Sequence, residues 1–319
     1  MAEADAHRFL EPDFLARLDK LRLVAKRLSW GIARGEHPTV RKGFSLEFSD
    51  YRKYSRGDDL RYVDWNVYGR LERLLLKVFT AEEEITVYLL MDTSLSMAEG
   101  SPAKIDFAKN VAAALGYIGL KTHDRVGAAG LAEDLTAQLP PARARRQLLS
   151  LFNFLAELSC AGRTDLETSV KTFTRLYPRP GLVVLFSDLL DASGCRAALE
   201  ELARKRHDVL LVHVLKDGET RLDPGGDVSL VDVETGRERR VFVDRDLADR
   251  FHREAEDFFA GAERFCEGRQ MDYRRTTSDV PFDDFVLRYL MHEPASADDV
   301  EPSRAGLNRA PAPSSSSVG

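Results

Sequence analysis

The sequence predicts an α/β fold, a doubly wound and mostly parallel sheet flanked by helices. Three observations carry that reading. The runs ITVYLLMD, GLVVLFSD and DVLLVHVLK are apolar along their length, as strands buried on both faces must be, rather than alternating. Amphipathic stretches of helical length separate them, the spacing that crossovers between parallel strands require. A chain of 319 residues with 44% hydrophobic content can bury one large core, or a large domain beside a smaller one.

Residues 12 to 35 put Phe14, Leu18, Leu21, Ala25 and Leu28 on one helical face with Arg and Lys opposite, so this helix is expected to dock on a larger body. Residues 44 to 80 are dense in charge and aromatics. Asp50, Arg52, Arg56, Asp58, Asp59, Arg61, Asp64 and Arg70 alternate sign there, with Tyr51, Tyr54, Tyr62, Trp65 and Tyr68 interleaved. Such a stretch reads as a folded collar whose arginines pair with aspartates and stack on rings. Arg56-Gly57-Asp58 within it reads as a glycine turn.

From residue 85 the strand ITVYLLMD leads to the helix KIDFAKNVAAALGYIGLK and the strand RVGAAGLAEDL. The helix RRQLLSLFNFLAEL and a second helix after GRTDLETSV precede the strand GLVVLFSD. CRAALEELARKR is helical and DVLLVHVLK is a strand; VSLVDVETGRERRVFV forms a hairpin about its Thr-Gly turn. A helix near 245 to 267 and a last strand and helix, MDYRRTTSDVPFDDFVLRYLMHE, complete the order. From Ala295 the composition collapses to Ala, Pro, Ser and Asp, which predicts a disordered tail. No internal repeat is evident.

Composition excludes several classes. With 46 basic against 52 acidic residues and a net charge of -6, no global positive field gathers phosphate backbones, so no nucleic-acid partner is expected. Cys160, Cys195 and Cys266 are far apart and without CxxC spacing, which argues against a disulfide framework or zinc ribbon and for thiols in a reducing compartment. The start MAEADAHRFLEPDF lacks the basic and apolar regions of a signal peptide, and no run approaches the roughly 18 apolar residues of a membrane span. A soluble, cytoplasmic protein is the expectation.

In an open parallel sheet, ligands bind beyond the carboxyl ends of strands where strand order reverses. Asp92 falls at such an end, and Ser94 and Ser96 follow at two-residue spacing, so a curled loop turns three oxygens toward one point. Thr164 in GRTDL and Asp188 in VVLFSDLLD occupy two other positions at that end. Ser, Thr and Asp are also common helix caps, and DxSxS alone is more often a capped loop than a metal site. Here three separate segments bring oxygen to the same end of one sheet. Two carboxylates and three hydroxyls, with no sulfur or imidazole, form a hard donor set suited to Mg2+, which takes octahedral geometry at about 2.0–2.1 Å and keeps several waters.

Asp92-Thr93-Ser94-Leu95-Ser96, Thr164 and Asp188, in that order and context, resemble the metal-ion-dependent adhesion site of von Willebrand factor A-like domains. RVGAAGLAEDL followed by LPPARARRQLLSLFNFL resembles the second strand, edge hairpin and next helix of that fold. Upstream, SDYRKYSRGDDLRYVDWNVYGR resembles the signature of the family called domain of unknown function fifty-eight, whose members carry such a domain; the resemblance covers roughly residues 40 to 293. It implies residues 1–80 as N-terminal helix and signature segment, 81–293 as the von Willebrand factor A-like domain and 294–319 as tail. It also implies a MoxR-type AAA+ ATPase as partner. Ser94, Ser96 and Thr164 would bind Mg2+ (or Mn2+) through their hydroxyls, with Asp92 and Asp188 holding it directly or through water. GRTDL has one glycine where relatives usually read two.

A divalent ion with few charged ligands stays electrophilic and keeps an exchangeable position, which a client protein's carboxylate can occupy. Losing such an interprotein carboxylate costs about 2–5 kcal/mol, by analogy with truncated buried charge pairs. The function expected is therefore a metal-dependent adaptor or co-chaperone without catalysis; a magnesium-dependent hydrolase using the same site is the alternative. A phosphatase of the haloacid dehalogenase type needs a second acid where this chain has Ser94, and no GxxxxGK[ST], GxSxG or HExxH occurs. A two-metal nuclease needs more carboxylates at the strand ends. His207 and His213 read as structural, and the basic clusters at 142 to 146 and 203 to 207 as solvated helix surface.

Overall fold

The computed structural model describes residues 8–32, 46–55, 58–81, 85–143 and 145–291. The predicted tail from Ala295, residues 33–35 of the first helix and the Arg56-Gly57 pair lie outside the described residues, as does the side chain of Leu28.

The order of elements is α1 (Pro12–Ile32), β1 (Leu46–Lys53), α2 (Trp65–Leu71), β2 (Leu75–Ala81), β3 (Thr86–Asp92), α3 (Lys104–Lys121), β4 (Arg125–Leu131) and β5 (Leu135–Ala142). Then follow α4 (Arg145–Glu157), α5 (Leu166–Leu176), β6 (Leu182–Ser187), α6 (Ala192–Arg204), β7 (Asp208–Leu215), β8 (Gly226–Val231), β9 (Glu238–Val243), α7 (Arg245–Glu267), β10 (Asp272–Thr277) and α8 (Phe282–Leu290).

One six-stranded sheet organises the chain, in the order β10-β7-β6-β3-β4-β5. Every pairing is parallel except that of β4 with the edge strand β5. The chain winds outward from β3 to β5, then returns to β6 beside β3 and winds the other way. This is the doubly wound α/β arrangement that the von Willebrand factor A resemblance implies, and its switch point lies between β3 and β6.

The uninterrupted apolar run of β3 follows from burial on both faces. Leu89 and Met91 enter a core shared with α1, α3, α4 and α8, while Tyr88 and Leu90 enter a second core with α5 and α6. The amphipathic α1 buries Phe14, Leu18 and Leu21 in the first of these cores. Phe14 lies 5.2 Å from the Phe282 ring, Tyr117 donates to Asp19 at 2.6 Å, and Arg17 pairs with Asp283.

The collar is a separate antiparallel pair, β1 with β2. Asp64, buried, accepts from the Tyr51 hydroxyl at 2.7 Å and from the amides of Asn66 and Val67, which caps α2. Arg52 pairs with Asp58, and Arg61 with Asp59, as the alternating signs predict. Trp65 meets Tyr68 edge-on and stays 59% exposed. Among the described residues no helix is long and apolar enough to cross a membrane.

Candidate functional site

The carboxyl end of β3 delivers Asp92 into the switch point, where the residue is fully buried. One carboxylate oxygen accepts from the Ser94 amide at 3.0 Å, closing the loop back on the strand end. The other accepts from the hydroxyl of Ser187, the last residue of β6, at 2.7 Å. Ser94 then starts a 3-10 turn, Leu95–Ala98, which lays the Ser96 hydroxyl 3.0 Å from that of Ser94. Asp188 follows β6 directly and is buried 1% exposed, close enough to act electrostatically on Asp92. Burial first, and the Asp188 charge second, push the Asp92 carboxyl up to about 6, against the bonds from Ser187 and Ser94.

Thr164 arrives on the loop before α5. That loop is tied to the Asp92 loop through its backbone: Leu95 N–H donates to the Gly162 carbonyl at 3.2 Å and Ala161 N–H to the Thr93 carbonyl at 2.8 Å. Gly162 adopts φ +77, a left-handed turn that favours glycine. Asp165 caps α5 by accepting from the Thr168 amide at 2.9 Å. The Thr164 side chain bonds to the turn between β8 and β9. Its hydroxyl donates to Glu234 Oε1 at 2.7 Å and its amide to Oε2 at 3.3 Å. Glu133, Arg163, Asp165, Glu167 and Asp191 line a polar cleft of about 520 Å3 beside it.

Several partners in the site were not anticipated. Lys104, at the start of α3, is fully buried, and its ammonium donates to Asp188 at 2.7 Å and to Glu219 at 3.1 Å. Burial opposes that charge, but Asp188 and Glu219 outweigh it and hold the lysine above its ordinary range. The signal for Lys104 was present in the sequence: it falls on the helical stripe of Phe107, Ala108 and Val111, all buried. His213 Nε2 donates to the Asp188 carbonyl at 3.1 Å, and as a neutral ring its Nδ1 accepts from the Tyr273 hydroxyl at 2.8 Å. Burial pulls its imidazole down to about 4, so it is a neutral brace of the Asp188 backbone, in keeping with its structural reading. His207 is also buried, its ring edge-on to Tyr88. No sequence signal marks Glu219 or Glu234, which reach the site from loops far along the chain.

Among the described residues no three His, Cys, Asp or Glu side chains gather as metal ligands. The group at the end of β3 is instead one carboxylate and two hydroxyls, buried and all oxygen, with a carboxylate whose ionisation is resisted by burial and by the Asp188 charge. An all-oxygen donor set is the type that hard cations such as Mg2+ or Mn2+ take. The two remaining members of the expected set are engaged elsewhere, Asp188 by Lys104 and Thr164 by Glu234. The three thiols are free, and burial pushes Cys160, Cys195 and Cys266 up to about 11, 12 and 11, which leaves them unreactive.

A family model described as protein of unknown function DUF58 matches residues 50–258, from the collar into α7. The chain belongs to the DUF58 family. All the site residues, with Lys104 and Glu234, lie inside the DUF58 match. Two uncharacterized mycobacterial proteins, Rv1480 of Mycobacterium tuberculosis and Mb1516 of Mycobacterium bovis, are each 30% identical over 264 residues, covering 81% of this chain and 83% of the relative. Among solved structures, BatB from Bacteroides thetaiotaomicron is 16% identical, covers 65% of this chain and 98% of its own, and has a TM-score of 0.42. The SpRpn10 VWA domain is 9% identical, covers 69% and 98%, and has a TM-score of 0.35.

Proposed function

We propose that this DUF58 protein is a cytoplasmic protein-interaction module that holds a divalent cation, Mg2+ or Mn2+, at the switch point of its sheet and offers it to a carboxylate of a client protein. The observation that carries the reading is the buried oxygen cluster of Asp92, Ser94 and Ser96, set at the strand ends where doubly wound sheets take ligands. Asp188 would join through Oδ1, the oxygen that Lys104 does not hold and that accepts from the Leu190 amide at 3.4 Å, and Thr164 through its hydroxyl. The cation supplies a Lewis-acidic position for an incoming carboxylate. The chain's own residues do the rest: Ser187 and the Ser94 amide orient Asp92, Lys104 holds Asp188, and His213 braces the Asp188 backbone.

The partner proposed is a MoxR-type AAA+ ATPase, with this chain as its adaptor or co-chaperone. The test is binding of the purified ATPase in Mg2+, in EDTA, and with Ser96→Ala and Asp92→Ala. The reading expects binding that needs both the metal and the two side chains. Tight binding indifferent to all of them places the ATPase contact elsewhere, and turnover of a small phosphate ester lost in Ser96→Ala would favour the hydrolase.

A further inference from the structure

We infer that Glu234 is a built-in carboxylate ligand of Thr164, so that the β8–β9 hairpin competes with an acidic partner for that residue. The inference rests on the proposed function, since that reading is what brings a partner's carboxylate to this end of the sheet.

The contact is two-pronged. Both oxygens of Glu234 are engaged, one by the Thr164 hydroxyl at 2.7 Å and the other by the Thr164 amide at 3.3 Å, across 70 residues of sequence. A hydroxyl and an amide presented by one residue form a receptor for a carboxylate, and charge-assisted bonds of this kind exceed neutral ones in strength. Glu234 is aimed by the turn that carries it. The Asp232 carboxylate accepts from the amides of Glu234 and Thr235, both at 3.0 Å, and the Gly236 amide donates to the Asp232 carbonyl at 2.7 Å. Gly236 sits at φ +67, which an L side chain adopts only with strain. Within this turn Glu234 alone is half-buried, while Val231–Val233 and Thr235–Arg237 are exposed.

The hairpin that bears the turn is anchored at its base, where Val243 is buried, and is exposed toward its tip. Among the described residues its strands pair only with each other, and Val228, Leu230, Val231 and Phe242 are exposed between 37% and 64%. A two-stranded hairpin without a covered face is marginal by itself. At its tip the hairpin meets the site through Glu234, with Arg163 close enough to act on Asp232, and a carboxylate contact at a tip is one that another carboxylate can displace. The partner chemistry that fits is a Glu or Asp side chain on an extended or turn segment, entering where Glu234 now lies.

The hairpin's own sequence is the probe. A fluorescein-labelled peptide of residues 226–243 is titrated into the full chain, wild type and Glu234→Ala, followed by fluorescence anisotropy in Mg2+ and in EDTA; hydrogen exchange of the β8–β9 amides reads the arm directly. Glu234→Ala should speed hairpin exchange at least tenfold and bind the peptide at least tenfold more tightly than wild type. Thr164→Val, added to Glu234→Ala, should abolish that gain, as should a peptide with Gln for its own Glu234. Equal peptide affinity in wild type and Glu234→Ala, or no binding to either, overturns the inference, as does unchanged hairpin exchange. Binding to Glu234→Ala that is equal in Mg2+ and EDTA upholds the carboxylate receptor and removes the cation from the proposed function. If the peptide fails while calorimetry still detects Mg2+ at Asp92, this inference falls and the cation reading stands.

Discussion

The two halves of the site are built differently. Asp92, Ser94, Ser96, Asp188 and Lys104 are all 3% exposed or less and are held by strand ends, the 3-10 turn and the first turn of α3. Thr164 and Glu234 sit at the rim, one on a loop and the other on a hairpin outside the main sheet. The buried half is fixed by the same hydrogen bonds and packing that hold β3 and β6 together, so it cannot change without loss of stability. The rim half can exchange one contact for another at small expense to the fold. In the proposed function, the first half would supply most of the cation's ligands and the second would meet the partner.

The sharpest way to break that contrast is Lys104→Met. It leaves Asp188 buried with its main counter-charge gone, so urea unfolding should show a loss of about 3–5 kcal/mol, partly regained when Asp188→Asn is added. A stability equal to wild type would mean that Asp188 is solvated, and the buried half would no longer be a rigid unit.

Acidity probes the same half with opposite signs. The folded His213, near 4, lies below its free value of 6.5, so its contribution is full above 6.5 and is lost as pH falls through about 4. The folded Asp92, near 6, lies above its free value of 3.8, so its contribution is full below 3.8 and is lost as pH rises through about 6. Each amounts to about 3 kcal/mol at most, and between pH 4 and 6 they oppose each other. In EDTA, Asp92→Asn should therefore lose stability more steeply than wild type as pH falls from 6 to 4. Parallel stability curves would show that Asp92 is ionised as readily as an exposed carboxylate.

At the rim, Thr164→Val removes a single charge-assisted contact and should lower stability by about 1 kcal/mol, while removing the carboxylate receptor. The smallest effect is expected in the collar. Arg61→Ala opens an exposed pair with Asp59, and the unfolding midpoint should not move measurably. A clear shift there would give the collar a structural role that its exposure does not show.

The sequence made the buried half largely readable and the rim only half so. The run ITVYLLMD is apolar on both faces because β3 is central, and its end locates Asp92; GLVVLFSD locates Asp188 by the same logic. Ser94 and Ser96 followed from spacing along one loop. Lysine in a first helical turn is ordinarily solvated, and only its place on the buried stripe of α3 marks Lys104 as an exception. Thr164 was readable as a loop residue before a helix, yet its partner was not. Glu234 meets it across 70 residues through a hairpin, and no local pattern encodes such a contact.

The central claim is that Asp92 anchors a divalent cation. Calorimetric titration of Mg2+, and of Mn2+, into the metal-stripped full chain and into Asp92→Ala tests it most directly. The account predicts saturable binding by the wild type and none by the variant. Absence of binding by the wild type, or equal binding by both, would contradict it.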